Sequence, residues 1–209
     1  TFVAEMKIET HHYRLKDYYD PLLRKHGASY RGMGWVSDQL QTMRFEAMFA
    51  IADITNASVL DIGCGAAGFL DWLTQRGYTG RYTGIDLQGK MIELARAQHP
   101  RSKYPNAMFE CNDFLNVARK WRAQYVFASG IFPLADMSLL KRTVTEMFYV
   151  AERGVAFNCL SSLAPRKHPK KFMFADPFEV ESFCKTLTAN VKMRHDYLPQ
   201  DFTVYIYNK

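Results

Sequence analysis

The run Val59-Leu60-Asp61-Ile62-Gly63-Cys64-Gly65-Ala66-Ala67-Gly68-Phe69 sets a carboxylate two residues ahead of a glycine turn. Gly63 and Gly65 allow the backbone to come close to a ligand, and a short apolar run leading into them reads as a strand that delivers the turn. Asp86 follows about 20 residues later, at the end of a second apolar run. A carboxylate there can accept hydrogen bonds from both hydroxyls of a ribose. Gly63, Gly65 and Gly68 satisfy the GxGxxG spacing, which also serves nicotinamide dinucleotides, so the glycines alone do not choose the ligand. No nucleophile or general base stands out. Cys64, Cys111, Cys159 and Cys184 form no CxxC pair, and no proline directly precedes a cysteine. That spacing predicts neither a metal site nor a disulfide scaffold, and points to a reducing, cytoplasmic home. His11 and His12 are adjacent and so cannot share a helical face. Exposed positions are expected for them and for His26, and structural roles for Asp71 and Asp176.

The elements that must position these residues follow an α/β rhythm. Tyr13, Leu15, Tyr18, Tyr19, Leu22 and Leu23 recur at helical spacing over 5–25, with Gly27 just past the end. A second helix starts at Ser37 or Asp38 and runs to about Ala52. Strands are expected at Ser58–Asp61, Tyr82–Asp86, Ala107–Cys111, Tyr125–Ala128 and Gly154–Cys159. Helices between and after them are expected at Gly68–Arg76, Lys90–Gln98, Met137–Glu152 and Pro177–Leu187. This alternation predicts a parallel, doubly wound sheet with helices on both faces. The last two strands, Val191–Asp196 and Phe202–Tyr207, are joined too tightly for anything but antiparallel pairing.

The 209 residues suit one domain, or one domain with an appendage: an N-terminal helical segment over 1–57 and a ligand-binding domain over 58–209. No apolar run approaches the ~20 residues that span a bilayer, and no basic start with an apolar stretch marks a leader. Net charge is +6, yet residues 1–57 are neutral. The densest basic cluster is Arg166, Lys167, His168, Lys170 and Lys171, read either as a solvated loop or as a contact for an anionic substrate or nucleic acid.

Three further features narrow the ligand. Asp61 precedes the glycines in Leu-Asp-Ile-Gly-Cys-Gly; Asn112-Asp113-Phe114 closes the third strand; the chain ends in a helix and hairpin rather than a second catalytic domain. Together these resemble the class I S-adenosylmethionine-dependent methyltransferases over about 37–209, most strongly over 58–90. The resemblance implies a Rossmann-like, mostly parallel seven-stranded sheet with an antiparallel C-terminal hairpin, and S-adenosyl-L-methionine bound across the strand ends. It implies Asp61, Gly63 and Gly65 beside the methionine part, Asp86 on the ribose and Leu87 beside the adenine. It places Asp113 on the adenine amino group, Phe114 packing nearby, and Ser129 with Gly130 at the edge of the reaction cleft. Many members have glycine where this chain has Ala67, a change tolerable if that residue keeps helical dihedrals.

The segment 35–45 resembles the lid-helix region of small-molecule members of the family. Gln39 and Arg44 would lie near the cofactor, with Arg44 pairing with its carboxylate. The turn Ala128-Ser129-Gly130-Ile131-Phe132-Pro133-Leu134 lacks the Asn/Asp-Pro-Pro-Tyr/Phe signature of amino-methylating enzymes. With 14% aromatic residues, the chain suits a small, partly apolar acceptor. The expectation is therefore methyl transfer to a small, possibly anionic molecule by in-line displacement. The alternatives are an RNA or protein methyltransferase using the 166–171 loop, a non-catalytic partner subunit of the same fold, and a nicotinamide-dependent oxidoreductase. The loop Ser161–Asp176 is expected to form a second wall of the substrate site.

Overall fold

The computed structural model describes residues 8–167 and 169–208, so residues 5–7 of the first expected helix and His168 of the basic cluster lie outside it. Helices are α1 (Ile8–His26), α2 (Asp38–Phe49), α3 (Gly68–Thr74), α4 (Gly89–Gln98), α5 (Phe114–Val117), α6 (Met137–Val150) and α7 (Pro177–Leu187). Strands are β1 (Val59–Ile62), β2 (Tyr82–Asp86), β3 (Ala107–Cys111), β4 (Ala123–Ala128), β5 (Ala151–Leu160), β6 (Val191–Leu198) and β7 (Asp201–Tyr207). They form one seven-stranded sheet in the order β3-β2-β1-β4-β5-β7-β6. β1 to β5 pair in parallel, whereas β7 is antiparallel to both β5 and β6. β7 therefore slots between β5 and β6, and the short link from Leu198 to Asp201 makes its pairing with β6 antiparallel.

Alternate residues of each strand feed two cores. On one face Phe127, Tyr82 and Val59 pack against Phe45 of α2, Phe69 and Trp72 of α3 and Ile92 of α4. On the other, Leu60, Val126 and Phe157 pack against Leu140, Val144 and Met147 of α6 and Val180 of α7. Burying both faces explains why the central strands are apolar throughout rather than alternating. Helix starts follow their caps. Ser37, Asp136 and Asp176 side chains accept from first-turn amides of α2, α6 and α7. Asp176 is thus structural, as expected. Asp71 is too, being held by the buried His99 at 2.9 Å.

Several element ends shift by one to three residues from expectation, and two differences have a clear cause. β5 begins at Ala151, not Gly154, because Ala123 of β4 is already paired with Ala151, and α6 stops at Val150 as a result. α5 is a single turn capped by Asp113, too short to leave a period in the sequence. No described helix is long and apolar enough to cross a membrane.

The sheet order reverses between β1 and β4, leaving a crevice at their carboxyl ends, where ligands bind in open α/β sheets. α1 lies over this edge. His11 Nδ1 donates to the Leu134 carbonyl at 3.2 Å and His12 Nε2 donates to Asp113 at 3.1 Å. Tyr18 meets Phe172 edge to face, with ring centroids 5.5 Å apart.

Candidate active site

The crevice is a cleft of about 1270 Å³ counted out to its open mouth. Its floor is the glycine turn. Gly63 and Gly65 both have positive φ, at 70° and 56°. A methyl group on Gly63 would lie 2.3 Å from Ile131 Cγ2, and one on Gly65 2.9 Å from Met33 Sδ, so neither position has room for a side chain. The amides of Gly63 and Cys64 both donate to the Ile85 carbonyl, tying the turn to β2. Ala67 departs from the right-handed helical conformation expected of it. It is left-handed, at φ 65° and ψ 34°, the region that makes glycine common at this point of the turn. The methyl costs about 1–2 kcal/mol there, and the fully buried side chain recovers part of that through packing.

Asp86 stands at the carboxyl end of β2. One carboxylate oxygen accepts from the Gly65 amide at 2.9 Å and the other from the Gln88 amide at 2.8 Å. The side chain thus braces the glycine turn, and each oxygen keeps further acceptor capacity at the cleft wall. Burial pushes its pKa up, against the pull of those two amides. The adjacent Gln88 carries a buried Oε1 with no hydrogen-bond partner among the described residues, at the cleft wall.

Asp61 is 3% exposed beneath the turn and accepts from the Tyr82 hydroxyl at 2.5 Å. Burial lifts its pKa to about 7, the Tyr82 hydrogen bond pulling down and the Asp86 charge pushing up. A carboxyl that holds its proton more tightly when folded lowers stability as pH rises. The loss begins near the unfolded value of about 4 and is complete just above pH 7. At about 1.4 kcal/mol per unit the total is roughly 4 kcal/mol. Asp61→Asn keeps an acceptor for Tyr82 and removes the charge. It is expected to flatten the stability profile between pH 4 and 8, read by urea unfolding at each pH. An unchanged slope would show that Asp61 ionises freely in the fold.

The roof joins Tyr19 and Trp35, aromatic residues expected about the cleft mouth, to Met33 and Gln41, which carried no expectation from sequence. Tyr19 of α1, Met33 and Trp35 of the following turns and Gln41 of α2 all line the cleft. Burial raises the Tyr19 phenol well above its usual pKa, so it stays a donor. Gln41 Nε2 comes within 3.6 Å of the space a Gly68 side chain would fill. His11 and His12 are half-buried cleft residues, not the exposed histidines expected. No periodicity signals this, since their partners lie more than 100 positions away.

Of the site residues named from sequence, Asp61, Gly63, Gly65, Asp86, Leu87, Asp113, Phe114 and Ser129 all line this one cleft. Asp113 is shared, because one oxygen caps α5 through the Leu115 amide and the other meets His12. Arg44 does not line the cleft. Its Nη2 lies 2.6 and 2.7 Å from the two oxygens of Asp201, and its guanidinium stacks 4.5 Å from the Trp35 ring centre. Gln39 is exposed and outside the cleft. Nor do described residues of the loop Ser161–Asp176 form a wall of the cleft. Lys171 and Phe172 pack on Tyr18 from outside, and the Met173 amide donates to Pro133.

The chain is similar to known proteins. A family model described as a methyltransferase domain matches residues 59–154. Rv1506c of Mycobacterium tuberculosis, whose name assigns it provisionally to the methyltransferases, is 33% identical over 159 residues, covering 71% of this chain and 92% of the relative. Among solved structures, magnesium protoporphyrin IX methyltransferase from Synechocystis, with S-adenosylhomocysteine bound, superposes with a TM-score of 0.68. It is 13% identical and is covered 100%, against 95% of this chain. The DhpI complex with S-adenosylhomocysteine gives 0.63 at 15% identity, over 94% of this chain and 92% of that one.

Proposed function

The chain is a class I S-adenosylmethionine-dependent methyltransferase, and we propose that its acceptor is a small molecule held in the apolar arm of the cleft. The observation that carries this reading is the continuity of the cleft. The glycine turn, Ile131, Phe132, Leu139 and Leu15 of α1 all line this one cleft. A site roofed by a helix admits a compact molecule more readily than a polymer.

The residues present fit S-adenosylmethionine. The Asp86 carboxylate retains acceptor capacity at the cleft, and the unpartnered Gln88 oxygen calls for a donor. When bound, the cofactor supplies a methyl group already activated by positive sulfur. Asp86 holds the ribose hydroxyls, Leu87 flanks the adenine, and Asp113 and Phe114 close its far side. Asp61 and the glycine turn carry the methionine part. Gln41, rather than Arg44, supplies a donor beside the turn. Ser129, braced by Asn158 at 3.1 Å, edges the acceptor arm. The chain's main contribution is alignment of the two reactants and exclusion of water. The free thiols of all four cysteines fit a cytoplasmic setting.

Incubating the protein with methyl-labelled S-adenosylmethionine and a cell extract should put the label in the small-molecule fraction. Label in RNA or protein would instead favour an acceptor engaged by Arg166, Lys167, Lys170 and Lys171.

Residues 8–45 act, in this reading, as a lid. Met33 and Trp35 press on Gly65 and Gly130, and α1 reaches Asp113 and Leu134. Limited proteolysis should cut at Gly27–Gly34 in the free protein and several-fold more slowly with S-adenosylhomocysteine present. Equal cleavage in both states would make this segment a fixed appendage.

A further inference from the structure

His11 combines three features. It lines the same cleft as Phe132 and Leu139, and from α1 it reaches the turn after β4 at Leu134. Its Nδ1 lies 3.2 Å from the Leu134 carbonyl, which can only accept, so Nδ1 carries the proton. Its Nε2 makes no hydrogen bond to any described residue. His12 lacks the last feature, because its Nε2 is taken by Asp113.

Resting on the small-molecule reading above, we propose that His11 is the general base of this enzyme and that the acceptor atom is the hydroxyl oxygen of an aromatic ring. The O–H proton passes to Nε2 while the oxygen's electron pair forms a bond to the methyl carbon. The carbon–sulfur bond breaks with its electrons going to sulfur, and the imidazolium later gives its proton to water. The Leu134 carbonyl holds the tautomer that leaves Nε2 bare. A phenol suits this base better than an aliphatic alcohol. Its pKa, about 10 as in tyrosine, is within reach of an imidazole, and the apolar walls formed by Leu15, Phe132 and Leu139 suit a ring.

The surroundings keep the imidazole neutral. Burial lowers its pKa, and His12 on the same helix adds to that. The Leu134 carbonyl, Asp113 at the end of β3 and Asp136 at the start of α6 act in the opposite direction, with burial the largest influence. The base is thus ready at neutral pH and is lost on acidification.

Two measurements test the proposal on the full chain. Long-range nitrogen–proton spectra of the 15N-labelled protein, with His11 assigned by its loss in His11→Asn, should show the Nδ1–H tautomer and a titration midpoint below the ordinary value of about 6.5. An Nε2–H tautomer, or an imidazolium at pH 7, overturns it. Labelled S-adenosylmethionine is then offered with phenol, 4-cyanophenol and benzylamine as probes. Asn keeps a donor for Leu134, so its loss of activity reports on Nε2. His11→Asn should slow phenol methylation by roughly 10²–10⁴-fold, and 4-cyanophenol less because it ionises more readily. Equal phenol turnover by variant and wild type, transfer to benzylamine alone, or transfer to no probe by a protein that binds S-adenosylhomocysteine overturns the inference. Failure of the wild-type protein to bind S-adenosylhomocysteine at all overturns the methyltransferase reading itself, so the two failures are separable.

Discussion

Asp201→Ala is expected to destabilise the protein by about 3–5 kcal/mol while leaving the affinity for S-adenosylhomocysteine within a few-fold of wild type. The Asp201 side chain is 1% exposed and that of Arg44 12%, so the variant strands a cation in the core of the α2–β7 contact. Burial raises the Asp201 pKa and the Arg44 charge pulls it back, as in a pair whose stability depends on both members. Arg44 Nε already lacks a partner, so the guanidinium has no second acceptor among the described residues to fall back on. The double variant Arg44→Met/Asp201→Leu removes both charges and should recover most of the loss. Urea unfolding measures the stability and calorimetry the affinity. A loss of more than tenfold in affinity by the folded double variant would return Arg44 to the cofactor site.

Asp86→Ala should weaken S-adenosylhomocysteine binding by about 2–4 kcal/mol, or roughly 30- to 1,000-fold. Two effects add. The charged acceptor for the ribose is lost, and the Gly65 and Gln88 amides lose the oxygens that hold the turn in place. Asp86→Asn separates them, because its single amide oxygen can brace only one of those amides while its NH2 faces the other. It should fall between wild type and Asp86→Ala. Unchanged affinity in Asp86→Ala protein with a wild-type thermal melt would place the cofactor elsewhere.

These two residues divide what could be read along the chain from what could not. The elements carrying the glycine turn, Asp86 and Asp113 were legible because their signals are local. A strand ends in glycines whose backbone angles no other residue adopts cheaply, and β2, β3 and α7 run over the residues expected from their apolar runs and flanking breakers. A carboxylate at the end of such a strand points to the ligand edge whatever the rest of the chain does, which is why nine of the eleven named site residues, all but Gln39 and Arg44, share one cleft. Side-chain partners are another matter. Asp201 is 157 positions from Arg44, and Leu134 is 123 from His11. Nothing near Arg44 indicates that β7 will slide between β5 and β6 and bring a carboxylate beneath it. Nothing near His11 indicates that the turn after β4 will offer a bare carbonyl. The left-handed Ala67 is similar, since the turn's path is set by its bonds to Ile85 and Asp86, and the residue accepts the angle that remains. Sequence determined the backbone conformations and the edge of the sheet where chemistry belongs, because those depend on neighbours a few residues away. Tertiary packing alone decided which polar groups are used up within the fold and which face the cleft, because each such group is claimed by whatever partner the fold brings nearest.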